Sequence, residues 1–291
     1  MKQKLDLETA ETKISSKNGG FIGLVSIILG AGGVFLNYLF IFLHLDNIVF
    51  AETAAATECR LVSPFFIPLF AVIGILGGMI WLVAGVGFFG KKEWAYSVGV
   101  IAVVIALFAS MWPNIPAMES RAAVPGPWFL IFFPNLLVYF FLVGRKGHVS
   151  GKKALFGLGL GMAFILNFIN GIAATTRMSN RLPGMVVESI LMTDYSRAII
   201  YMLTMPTNMI ASFLFGITTI GIFLAKNKEK VRMVGLAGVF LAISAGFPLA
   251  LYSMFIESAS FSFSMFILGP IVSLVLGIFI LSSKMWNKFN G

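Results

Sequence analysis

Five asparagines stand inside long apolar stretches of this chain: Asn37, Asn135, Asn167, Asn170 and Asn208, the last beside Thr207. A carboxamide in hydrocarbon must find a hydrogen-bond partner, because no water is there to supply one. The simpler chemistry is a bond between helices, worth about 0.6–2 kcal/mol each. The sharper one is a cavity whose amides bind a carbonyl or hydroxyl, as on a quinone headgroup, and on that reading these five are candidate ligand-binding residues.

Ionisable groups lie outside the middle of the apolar stretches. His44 and Asp46 follow the first stretch, Glu119 follows the third, and Glu257 follows the seventh. Arg177, Arg181, Glu188, Asp194 and Arg197 fall between the fifth and sixth. Together they make a candidate partner or substrate surface on one side of a membrane, against the plainer reading of solvated loops with weak surface ion pairs. Intramembrane charges usually mark proton relays and ion pathways. Their absence argues against a carboxylate-driven proton pump and against a voltage sensor.

Cofactor chemistry is narrowly bounded. There are two histidines, and His148 is expected on the opposite side from His44, so a bis-histidine haem is not expected. A lone axial His44 with a methionine partner is left open, although a lone histidine is more often an interfacial residue. The single cysteine, Cys59, can build neither an intrachain disulfide nor a cysteine-based metal site. No metal site and no catalytic motif are expected. Gly157-Leu158-Gly159-Leu160-Gly161 opens an apolar stretch rather than following a strand, so it reads as helix packing and not as a phosphate loop. Gly77-Gly78 and the glycines at 30, 32 and 33 read the same way.

The elements that must position these groups follow from composition. Of 291 residues, 58% are hydrophobic and 11% charged, with a mean hydropathy of +0.94. Soluble domains carry about 25% charged residues, so this chain has too little polar surface to stand in water. It reads as an all-α integral membrane protein. About 20 apolar residues cross a bilayer, and eight segments qualify: 21–43, 65–89, 94–112, 127–144, 154–174, 199–224, 233–255 and 263–282. Residues 1–19 read as a polar cytoplasmic tail, 20–146 as a first four-helix unit and 147–291 as a second. Trp94, Trp112, Trp128 and Trp286 fall near the expected helix ends, as interfacial anchors do.

With the N-terminus inside, 16 of the 21 Lys and Arg face the cytoplasm and 5 face out, as the positive-inside rule requires. Both termini are then cytoplasmic, and the longest loop, about 175–197, is extracytoplasmic. The net charge of +9 is thus topological, and no nucleic-acid partner is expected.

The two halves also resemble each other. Lys92-Glu93 through Trp112-Pro113 parallels Lys228-Glu229 through Phe247-Pro248, with Val98-Gly99-Val100 matching Val234-Gly235-Leu236. Glu119-Ser120 parallels Glu257-Ser258, Pro68 parallels Pro206 and Pro134 parallels Pro270, all at offsets of 135 to 138 residues. Asn37 and Asn167 extend the match at a smaller offset. A four-span unit returns to its starting side, so its copy inserts the same way round, as a parallel 4+4 repeat.

The leading functional expectation is a membrane subunit of a larger complex, of respiratory kind and close to the quinone pool, with other membrane subunits as partners. A transporter for a neutral or lipid-like solute is the alternative, suited by the repeat and the proline-bearing helices. A membrane enzyme acting on lipid or a cofactor through His44, Asp46 or Glu257 is the third.

Overall fold

The computed structural model describes residues 19–55, 60, 62–146, 149–187, 192–255 and 265–290. Side chains are described over 19–55, 60, 62–143, 149–178, 199–255 and 266–287. All regular structure among them is helical. The elements are α1 (Gly19–Ala54), α2 (Ser63–Phe89), α3 (Trp94–Met111), α4 (Asn114–Glu119), α5 (Phe129–Tyr139), α6 (Gly151–Val187), α7 (Met192–Leu224), α8 (Lys228–Phe255), α9 (Met265–Leu281) and α10 (Ser283–Asn290). A π-helical turn, Phe140–Lys146, continues α5.

Six helices are long and apolar enough to cross a membrane: α1, α2, α3 continuing through α4, α6 as far as Met178, α7 from Ile199, and α8. Two shorter apolar helices, Phe129–Val143 and Phe266–Leu281, fill the remaining places where a span is expected. Large side chains face outward along the long helices. Phe42 and Phe50 are 86% and 76% exposed. Water would penalise such a surface, whereas lipid accepts it, and the architecture suits a multi-pass membrane protein.

Hydropathy marks where lipid would be, not where a helix ends. Asp46 and Glu52 both fall past residue 43, where the first apolar stretch ends and a loop is expected, yet α1 carries both, because His44 to Ala54 contains no glycine or proline to stop it. Residues 175–197 were expected as the longest loop. They are helical over 175–187 in α6 and 192–197 in α7: the polar run Thr175 to Leu182 is likewise free of breakers, and α6 continues through Pro183 and Gly184 to Val187. The tryptophans also differ from expectation. Trp94 is partly exposed, but Trp112, Trp128 and Trp286 are at most 2% exposed. They are packed inside their units, Trp112 against Phe66 and Phe70, Trp128 against Phe40 with its N–H on the Asn37 carboxamide, and Trp286 against Phe156.

The chain divides into two compact units, 1–57 with 63–154, and 58–62 with 155–291. In the first, α1 packs on α2, α2 on α3, and α3 on α5, with α4 against α1 and α3. Gly30 and Gly78 let α1 and α2 cross at backbone distance. A Cβ on either would stand 2.7–2.8 Å from the other's carbonyl oxygen. At the far end Gly99 of α3 seats Leu142 and Phe88, each about 3.3 Å from where a Cβ would be. Phe66 and Phe70 pack on Trp112, the latter stacked at 5.0 Å.

In the second unit α8 packs on both α7 and α9. Gly171 of α6 lies against Met205 and Met209 of α7, and Gly159 of α6 meets Leu276 of α9. Gly235 of α8 seats Ile280 of α9 and Thr218 of α7 at 3.1–3.2 Å. The glycine at the start of the third long helix thus receives the end of the fourth apolar helix in each unit, Leu142 in one and Ile280 in the other.

Candidate functional site

α6 carries the richest polar stripe. Asn167, Asn170, Ala174 and Arg177 are spaced by three or four residues, so they share one helix face. That face meets α9. Asn167 Nδ2 donates to the Ala163 carbonyl at 2.7 Å and to Ser273 Oγ at 3.0 Å. Ser273 Oγ in turn donates to the Gly269 carbonyl at 2.7 Å. Asn170 Nδ2 donates across to the Phe266 carbonyl at 3.2 Å.

This last bond has a cause legible in the chain. Pro270 has no N–H, so the carbonyl four residues earlier, that of Phe266, loses its helical donor. Asn170 supplies the replacement. Gly269 makes room for it, because a Cβ there would fall 2.7 Å from Asn170 Nδ2 and 3.4 Å from Asn167 Oδ1.

The amide nitrogens are therefore occupied and the oxygens are not. Asn167 Oδ1 and Asn170 Oδ1 are buried with no donor, and so is Asn208 Oδ1 on α7, whose Nδ2 donates to the Thr204 carbonyl at 2.9 Å. Asn208 is on the turn between Met205 and Met209 that Gly171 of α6 crosses. The Tyr252 hydroxyl on α8 is buried without a partner as well. Buried acceptors in folded proteins normally have a donor from protein, water or ligand, and three carboxamide oxygens of the second unit are in want of one.

Beyond Asn170 the face ends at Arg177, which is partly buried. Its Nη1 donates to Ser253 Oγ of α8 at 2.8 Å, and its guanidinium lies 4.5 Å from the centre of the Phe266 ring. Phe266, Ala174, Tyr201, Leu249 and Ala250 form the apolar cluster beneath it. Tyr201 and Tyr252 stand edge to face at 5.9 Å. Arg177 is thus packed on α6 against α8 and the Phe266 ring, where the sequence placed it in a loop.

The first unit treats its asparagines differently. Trp128 Nε1 donates to Asn37 Oδ1 at 3.2 Å, and Trp81 Nε1 donates to Asn135 Oδ1 at 2.9 Å. Their Nδ2 groups donate to the Gly33 and Ile131 carbonyls at 2.7 and 2.8 Å. Both amides are satisfied on both sides, as structural crosslinks are. Asn114 Oδ1 also lacks a donor, and the Gly126 backbone packs against that side chain.

Of the expected outer surface, His44 is half-buried on α1 beside the Phe40 ring at 6.1 Å, and Asp46 is exposed two residues on. Glu119 is exposed at the end of α4. Among the described residues no three His, Cys, Asp or Glu gather as metal ligands. Glu257 and the side chains of Arg181, Glu188, Asp194 and Arg197 lie outside the described residues, as do Cys59 and His148. Glu52, placed in a loop by sequence, is fully buried near the end of α1.

Sequence reasoning missed Tyr201, Tyr252, Ser253, Phe266, Gly269 and Ser273. One signal was available: a proline four residues after Phe266 announces a carbonyl in need of a donor. The tyrosines and Ser253 gave no comparable sign. No family model, curated protein or solved structure matches this chain. The class of protein that fold and site define is an all-helical multi-pass bundle with a polar, acceptor-rich interior in its second unit.

Proposed function

We propose that this chain is an eight-span membrane protein that binds and carries a neutral, lipid-soluble molecule through its second unit. Both termini are cytoplasmic, and two four-helix units form a parallel repeat. Supporting the repeat, each unit runs long helix, proline-bearing long helix, long helix, short proline-bearing apolar helix, with Pro68 and Pro206 in the second places and Pro134 and Pro270 in the fourth. The seats of Leu142 on Gly99 and Ile280 on Gly235 correspond, the glycines 136 residues apart and the seated side chains 138. The two short helices supply the fourth and eighth spans, thinning the bilayer locally where they fall short of about 20 residues.

The observation that carries the ligand reading is the set of three buried carboxamide oxygens without donors, Asn167, Asn170 and Asn208. They suit a ligand that donates. A quinol does so through two hydroxyls, whereas its oxidised quinone offers only acceptors. The apolar cluster of Phe266, Leu249 and Tyr201 suits a ring.

The test is a thermal-unfolding titration of the purified protein with a short-chain quinol, under anaerobic conditions, against its quinone. Quinol at about 100 times its dissociation constant stabilises by about 2.7 kcal/mol, and the quinone stabilises less. Asn167→Leu with Asn170→Leu removes the difference. Equal shifts from both forms, or none from either, would exclude the quinol reading.

A second reading, a subunit of a larger membrane complex near the quinone pool, is favoured by the aromatic outer face of α1, where Phe21, Phe35, Tyr38 and Phe42 are all exposed. Extraction in mild detergent separates the two. A single monodisperse chain argues for the carrier, and stable co-purifying membrane subunits argue for the complex.

A further inference from the structure

Five basic side chains converge at one end of the second unit. Lys226 lies in the turn between α7 and α8, Lys228, Lys230 and Arg232 open α8, and Lys284 opens α10. Packing puts them together: Gly221 of α7 meets Val231 of α8, and Gly235 of α8 meets Ile280 at the end of α9. Arg232 ties the two turns directly. Its Nε donates to the Ile280 carbonyl at 2.9 Å, and its Nη2 donates to the Leu281 carbonyl at 2.7 Å and to Ser283 Oγ at 3.1 Å.

Two of the five charges are committed to helix ends. Arg232 caps α9, and Lys228 Nζ donates to the Ile222 carbonyl of α7 at 2.9 Å. Both sit where a helix dipole is negative. Lys226, Lys230 and Lys284 are exposed instead. Among the described residues of these turns the one carboxylate is Glu229, and it faces Arg232 at 3.7 Å. Three lysines therefore project against a single carboxylate, Glu229, which is turned to Arg232.

Their level is set by the helices. The apolar runs of α7 and α9 stop at Leu224 and Leu281, Lys226 and Lys284 follow within three residues, and Lys230 directly precedes Val231, where the apolar face of α8 begins. α10 is pinned there by Trp286, buried and edge-on to Phe156 of α6 at 6.3 Å. Basic groups at this depth meet lipid phosphates before they meet bulk water.

We propose that this end of the second unit binds the headgroups of anionic phospholipids. The site rests on the reading of α7, α8 and α9 as membrane helices, and it is independent of the ligand proposed for the interior. Its position at the helix ends selects a bilayer lipid over a soluble phosphate.

The test uses the full chain purified in mild detergent and titrated separately with phosphatidylglycerol, phosphatidylcholine and inorganic phosphate. Retained lipid is read by native mass spectrometry, and stability by the thermal midpoint. Phosphatidylglycerol is expected to be retained saturably and to raise the midpoint, with phosphatidylcholine and phosphate doing neither. Each exposed lysine contributes about fivefold in affinity, so Lys226→Gln, Lys230→Gln and Lys284→Gln together lower retention more than tenfold. The matching Lys→Arg triple variant keeps it, which separates lost charge from misfolding. Equal retention of both lipids, full retention by the Gln triple variant, or a phosphate effect matching phosphatidylglycerol would each overturn the site. A chain that stays soluble and monodisperse without detergent would overturn the membrane reading instead.

Discussion

At Asn170 a single side chain does two things that a buried amide seldom combines. Its nitrogen repairs the backbone gap left by Pro270, while its oxygen is buried without a donor. The repair is separable by a double-mutant cycle. Asn170→Leu strands the Phe266 carbonyl and should cost about 1–2 kcal/mol in thermal or denaturant unfolding. In a Pro270→Ala background the backbone N–H at 270 serves that carbonyl, and the same substitution should cost less. Equal costs in both backgrounds would remove Asn170 from the repair. The first unit offers the contrasting case. Asn135→Leu leaves the buried Trp81 N–H unpaired and should destabilise by about 1–3 kcal/mol. Pairing it with Trp81→Phe removes the stranded donor, so the cycle should show positive coupling despite the smaller ring. Strict additivity would mean that the bond at 2.9 Å contributes nothing.

At the scale of elements, small residues set how closely helices approach. Membrane helices gain little from the hydrophobic effect against each other, so close backbone packing carries more of the association. The α1–α2 crossing depends on Gly30 and Gly78, whose missing Cβ atoms would collide with the partner carbonyls. Gly78→Leu should therefore cost about 1–3 kcal/mol or more, with α1 displaced from α2. Gly32, in the same glycine-rich run, has open space around it. Gly32→Leu should be close to neutral, and the pair makes a direct comparison by thermal unfolding in detergent. A loss of equal size at both sites would mean that helix propensity and not the crossing is responsible. Sequence marked the run at 30–33 as a packing surface, but it could not say which glycine touches the neighbouring helix.

For the whole molecule, the eight-span reading makes a geometric prediction. In a Cys59→Ser background, single cysteines at Lys91 and Lys226 should react with an impermeant maleimide only from the cytoplasmic side. One at Arg121 should react only from the opposite side. If α5 and α9 fail to span, positions beyond α5 change sides relative to this pattern, and Lys226 would label from outside. Labelling at Lys91 fixes the side of the N-terminus, and a further single cysteine at Lys284, expected to react only from the cytoplasmic side, tests α9 and the C-terminus.

Much of this protein was determined by its sequence alone, because hydropathy and helical reach act locally. The all-helical class, the apolar helices and their order, and the five membrane asparagines follow from residue types at fixed spacing. Spacing along one helix also places Asn167, Asn170 and Arg177 on a common face. Only the tertiary structure decided what that face does. Asn37 and Asn135 look no different in sequence from Asn167 and Asn170, yet two indole N–H groups from residues 91 and 54 positions away satisfy the first pair. No donor meets the oxygens of the second. Helix ends were equally hidden, since hydropathy falls where lipid stops while backbone hydrogen bonds carry α1 and α6 onward. The difference is physical: burial and periodicity are properties of a segment, whereas hydrogen-bond satisfaction is a property of the neighbours that folding brings to it.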